Sequence, residues 1–288
     1  NSMGHVFWVY KWVVDACSEF YQIPMTDCLR YFADFRDRSL AYGYNLRPYY
    51  MYRYRFYHAM GREEEAAEAF HAFERLPRDQ NSDCRACERN EMIRFYLDQG
   101  DMEKVKALSA QIENFSLQCA HDKKAAWLRM KIRCMNHFLA PATQNFTEAQ
   151  RYCRILEQHM LEAQEYQAWD SFLYCYAHTD MGKALQIYKT HWKEWEEQRN
   201  PAYLFGESKN IACFFKELYH IREEKTVRLD MDDAFPLYRE DGMYPIADLF
   251  RHYAQRAEDM AQRFDARNGT AHYHLLLREA VGEPPWKE

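Results

Sequence analysis

Glycine and proline are scarce: nine of each in 288 residues, about half the share of an ordinary globular chain. So few breakers exclude collagen-like repeats and turn-rich architectures of short strands, and point to long regular elements. No apolar run approaches the roughly 18 to 20 residues that span a bilayer, so no membrane partner is expected. The most apolar opening stretch, Val6 to Val14, is broken by Lys11 and followed by no small-residue cleavage site, so no leader peptide is expected. An excess of positive charge is also missing. Against 38 Lys and Arg stand 44 Asp and Glu, a net charge of −6, so no global field collects nucleic acid. The nine cysteines are an odd number without the density of a secreted disulfide framework. Reduced thiols and a cytoplasmic location are the expectation. What is abundant is aromatic: 18 Phe, 7 Trp and 22 Tyr, 16% of the chain, enough large rings to fill a core.

Self-similarity comes next. Gly61-Arg-Glu-Glu-Glu-Ala66-Ala-Glu-Ala-Phe70 and Gly100-Asp-Met-Glu-Lys-Val105-Lys-Ala-Leu-Ser109 share a glycine, acidic residues, then small or apolar residues at helical spacing. Further units surround Ala149 and Ala184, and the crossing positions 66, 105, 149 and 184 are 39, 44 and 35 residues apart. Each unit reads as a helical hairpin that exposes one apolar face until a neighbour covers it. These stretches resemble the tetratricopeptide repeat (TPR). The resemblance implies an all-α fold, a right-handed α-solenoid of TPR-like hairpins. Its parts would be a helical cap over 1–46, repeats over 47–195, and a second helical cap over 196–288 continuing the same solenoid.

The flanks read as helical too, over about 5–22, 25–42 and Pro245–Arg267, with Asn268-Gly269 as a stop signal. The stretch from Glu224 to Gly242 reads as a connector, with Thr226, Val227, Leu229 and Met231 able to form a short extended piece. The segments Pro77-Arg-Asp-Gln-Asn-Ser-Asp-Cys84-Arg-Ala-Cys87-Glu88, Cys119-Ala120 and Phe264 to Thr270 are similar to those of a group of bacterial TPR proteins without a settled activity. That likeness implies a free-standing helical-repeat protein and no catalytic residue, so no enzyme is expected. The chain departs from the group where Ala120-His121-Asp122 follows Cys119, in place of an acidic residue and proline.

Laid on the repeat, Tyr50, Tyr54 and Tyr57 fall at buried positions. The groove-facing set is then Met51, Arg55 and His58, then Asn90, Arg94 and Leu97, then Tyr166, Trp169, Leu173 and Tyr176. Arg55 and Arg94 occupy equivalent places in adjacent units, and paired guanidiniums suit a carboxylate or a peptide backbone. The expected function is therefore binding of a protein or peptide partner, as a regulator or sensor half. The alternative is a metal- or redox-responsive protein built on Cys84-x-x-Cys87 and Cys119-x-His121. Thiolate and imidazole are the ligands of tetrahedral zinc, so zinc is the one cofactor that enters, and only on this reading. Buried packing of small thiols and a redox pair at a helix start remain open beside it.

Three other patterns carry less. Between Arg30 and Arg62, seven arginines alternate with tyrosines and phenylalanines, as on single-stranded nucleic-acid surfaces, though rings at helical spacing also make cores. Asp230, Asp232, Asp233 and Asp241 imitate a calcium loop with Phe235 where glycine is required. His272 and His274, two apart, point to different faces of a helix.

Overall fold

The computed structural model describes residues 2–160 and 168–286. These residues form thirteen α-helices, one 3-10 turn and a two-stranded sheet; among them no helix is long and apolar enough to cross a membrane. The chain divides into two compact units, one of residues 1–130 and 263–272, the other of 131–262 and 273–288.

In the first unit the helices are α1 (Ser2–Glu19), α2 (Met25–Ala41), α3 (Arg47–Ala59), α4 (Glu63–Arg75), α5 (Arg85–Asp98) and α6 (Met102–Glu113). α3 packs on α4 and α5 on α6 as antiparallel hairpins. Both turns need the left-handed backbone that glycine adopts without strain: Gly61 has φ 68° and Gly100 φ 69°. The small crossing residues are buried, Ala66 at 1% and Val105 at 4% exposure. α1 packs along α3 and α2, so α3 is covered on more sides than its own hairpin requires. Tyr54 and Phe56 are fully buried, whereas Tyr50 and Tyr57 keep partial exposure. The aromatic segment is thus largely core. Residues 263–272 belong to this unit: Arg267 Nη1 donates to the Cys17 carbonyl at 2.7 Å, and the Phe264 ring meets Tyr21 edge-on.

In the second unit lie most of α7 (Ala125–Leu139), then α8 (Phe146–Met160), α9 (Trp169–Thr179), α10 (Met181–Glu196) and α11 (Pro201–Ile221). α12 (Ile246–Asn268) and α13 (His272–Ala280) each begin in one unit and end in the other. Ala149 and Ala184, at the expected crossings, are fully buried. α9 packs against α8, α10 and α11, and every side chain from Ser171 to Ala177 is buried. The expected connector supplies β1 (Thr226–Arg228), antiparallel to β2 (Met243–Pro245) with Val227 opposite Tyr244. Val227, Leu229, Phe235 and Tyr244 bury its inner side. Asp232 of the imitated calcium loop is paired with Lys193, and Asp241 with Arg239.

Candidate functional site

Five of the ten groove positions belong to the core instead. Met51, Asn90, Leu97, Leu173 and Tyr176 are between 0% and 3% exposed. In a bare hairpin stack the inner helix keeps one open face, but here a further helix covers it: α1 on α3, and α11 on α9. Asn90 donates its side-chain amide to the Ala126 carbonyl of α7 at 2.9 Å. The Tyr176 hydroxyl donates to Glu157 at 2.7 Å and accepts from Lys183 at 3.1 Å. Trp169 keeps partial exposure and stacks on His191, ring centroids 4.5 Å apart. Tyr166 lies outside the described residues.

The basic members are half-buried and already engaged. Arg55 pairs at 3.0 Å with Asp15, which α1 brings over α3. Burial opposes the Arg55 charge, but the carboxylates Asp15 and Glu91 hold its pKa above the ordinary value. Burial pushes Asp15 up to about 6, with Arg55 opposing and Glu19, Glu91 and Asp83 adding repulsion. Arg94 lies 3.8 Å from Glu91, whose charge also acts on Arg55, so both arginines are engaged by acids of this chain. His58 lies 3.6 Å from Glu63 and 3.8 Å from Asp98. Asp15 and Glu91 escaped the sequence reading because nothing local links residue 15 to residue 55.

The cysteine group is different. Cys84 is the N-cap of α5, and its sulfur accepts from the Cys87 backbone N–H at 3.3 Å. Two cysteines three apart at a helix start are brought together by local geometry alone. Cys119 is not local. It arrives on the turn between α6 and α7 with its sulfur 3.9 Å from that of Cys87, and the three sulfurs lie within 4.8 Å of one another. Among the described residues this is the one group of three or more His, Cys, Asp or Glu side chains close enough to share an ion. His121 is not part of it; its ring packs against Trp8 of α1, centroids 5.4 Å apart.

The loop that presents Cys84 is held from several sides. Asp79 accepts from the backbone N–H groups of Asn45 at 2.8 Å and Asn81 at 3.0 Å, and Ser82 accepts from the Asp79 N–H at 2.9 Å. Lys11 of α1, itself buried, donates to the Asn81 carbonyl at 2.5 Å and pairs with Asp83 at 3.0 Å. Arg78 donates to the Asp83 carbonyl at 2.6 Å. The Pro77–Asp83 segment leading into Cys84 is thus braced by α1, Asn45 and its own side chains. On the other side Phe115 has a φ of 57°, a left-handed conformation that a bulky residue adopts only under constraint. Its ring stacks near Trp127, centroids 6.1 Å apart.

The electrostatics of the group are uneven. A hydrogen bond from Cys87, with backbone N–H groups of Cys87 and Ala120 assisting, overcomes burial and pulls the Cys84 thiol down to about 5. Cys87 moves the other way, raised by donating its S–H hydrogen bond to the Cys84 sulfur and by burial. The same contact thus acts in opposite senses on the two thiols, favouring the thiolate at Cys84 and the protonated thiol at Cys87.

No family model, no curated protein and no solved structure matches the chain.

Proposed function

We propose that this protein is metal-responsive and binds a soft cation through Cys84, Cys87 and Cys119, zinc being the cation whose chemistry suits the donors. We also read its helical hairpins as a TPR-like stack, with the site at the junction of two successive hairpins. The observation that carries the metal reading is the third sulfur. A redox pair needs two thiols, and a C-x-x-C helix start supplies them by itself; Cys119 is brought in from 32 residues away. Zinc–thiolate bonds of about 2.3 Å in a tetrahedron set sulfurs about 3.8 Å apart, and Cys87 and Cys119 are separated by 3.9 Å. Three thiolates fill three of four tetrahedral positions. Among the described residues no fourth donor joins them, which favours an exchangeable site over a closed structural one.

Metal occupancy would tie the turn before α7 to the start of α5, two segments otherwise joined across a strained Phe115 backbone. That is a physical route from metal to conformation. The test is elemental analysis of protein incubated with zinc and desalted. About one equivalent retained by the native chain and lost in Cys119→Ser supports the reading; less than about a tenth of an equivalent overturns it. Cobalt substitution adds a readout of ligand type, since sulfur-to-cobalt charge-transfer absorption reports thiolate coordination directly.

A further inference from the structure

A second site uses a different flank of α5. A cleft of about 390 Å³ opens beside the first two turns of that helix. Its wall carries Arg47, Arg78, Arg85 and Arg89 against a single carboxylate, Glu88. Glu88 is 3% exposed and already shared, pairing with Arg47 at 3.0 Å and Arg78 at 2.5 Å. Arg47 is further spent on the Phe73 carbonyl at 2.8 Å and stacks on the Phe73 ring. These three residues are one structural knot joining α3, α4 and α5.

Arg85 and Arg89 are not part of the knot. They stand one helical turn apart on the same face, Arg85 exposed and Arg89 half-buried. Among the described residues neither forms an ion pair; the one polar contact of Arg89 is a long 3.4 Å bond to the Leu108 carbonyl. In a chain of net charge −6, two neighbouring guanidiniums without carboxylate partners are an unbalanced local charge. They sit at the positive end of a fourteen-residue helix. Met92 and Leu117 add an apolar wall to the cleft.

We infer that this cleft binds a small phosphate-bearing molecule, its dianion held between Arg85 and Arg89 and its apolar body against Met92 and Leu117. Guanidiniums recognise tetrahedral oxyanions through paired N–H donors, and the cleft volume falls within the range of small-molecule sites. The inference uses no sulfur and stands apart from the metal reading.

The test is calorimetric titration of the full chain in chloride buffer with phenyl phosphate and, separately, inorganic phosphate. The expected result is saturable one-site binding, weakened about tenfold or more in Arg85→Gln/Arg89→Gln and retained in Cys119→Ser. Tighter binding of phenyl phosphate supports the apolar body against Met92 and Leu117; equal affinity overturns that part of the inference. Absence of saturable binding by either probe to about 10 mM, a concentration that admits even weak sites, overturns the inference. So does affinity unchanged in the double variant. Both substituted side chains are off the core, and an unchanged melting temperature of the variant separates lost binding from lost fold.

Discussion

Zinc added to metal-free protein raises the melting temperature, and removing one sulfur abolishes most of the rise. A ligand that binds only the folded state stabilises it by RT ln(1 + [L]/Kd), about 2.7 kcal/mol when free zinc stands at a hundred times Kd. The sulfurs belong to a unit of about 140 residues, whose unfolding entropy at about 2.1 cal/mol/K per residue is roughly 0.3 kcal/mol/K. The expected rise is therefore about 9 °C if that unit melts alone, and about 4 to 5 °C if all 288 residues melt together. In Cys119→Ser two thiolates remain. A hundredfold loss of affinity at the same zinc concentration leaves about 0.4 kcal/mol, a shift near 1 °C. Scanning calorimetry with and without zinc, followed by chelator, measures all of this. An equal rise in the native chain and in Cys119→Ser refutes the reasoning, because the metal would then be held without the third sulfur. No rise at saturating zinc refutes it equally.

Other outcomes follow from the same geometry. Cys84, lowered to about 5, is a thiolate above that pH and loses its reactivity only below it. Iodoacetamide labelling followed by mass spectrometry should put the midpoint near 5; a midpoint near 9 removes the assigned hydrogen bonds. A β-carbon at Gly61 would meet the His272 ring at 2.4 Å, whereas at Gly100 it meets nothing within 4 Å. Both sites carry the left-handed backbone penalty of about 1 to 2 kcal/mol for alanine, so Gly61→Ala should destabilise more than Gly100→Ala in urea melts, and equal losses contradict the contact. In the second unit, burial and the neighbouring Asp170 carboxylate push Glu207 up to about 8 from 4.5. The folded state then holds the extra proton between those values, and stability declines as pH rises from about 4.5 to about 8. Glu207→Gln keeps the neutral shape, so its advantage over the native chain should grow between pH 5 and pH 9 by roughly 2 kcal/mol after allowance for solvent screening. A pH-independent difference would show that Glu207 is not the titrating group.

The fold was legible where its causes are local. Helices expected over about 25–42 and Pro245–Arg267 are observed at Met25–Ala41 and Ile246–Asn268, because apolar periodicity and stop signals act within a few turns of the chain. Gly61 and Gly100 marked their turns because few other residues take a left-handed backbone without strain. The groove was not legible. Which face of α3 or α9 stays open depends on α1 and α11, and no residue of α3 encodes that α1 will lie upon it. Met51 and Leu173 read as inner-face residues and are core for that reason. The Arg85 and Arg89 cleft escaped as well, since arginines four apart on a helix look like any solvated face until the partners of their neighbours are known.

The cysteine group divides along the same line. The sequence by itself determined that Cys84 and Cys87 meet, since three residues at a helix start span less than one turn. The repeat reading also set Cys119, just before the next hairpin, near the start of α5; only the tertiary structure decided that its sulfur comes within 4.8 Å of the other two and that His121 turns instead toward Trp8. A contact across 32 residues is set by how hairpins pack, which spacing along the chain does not specify.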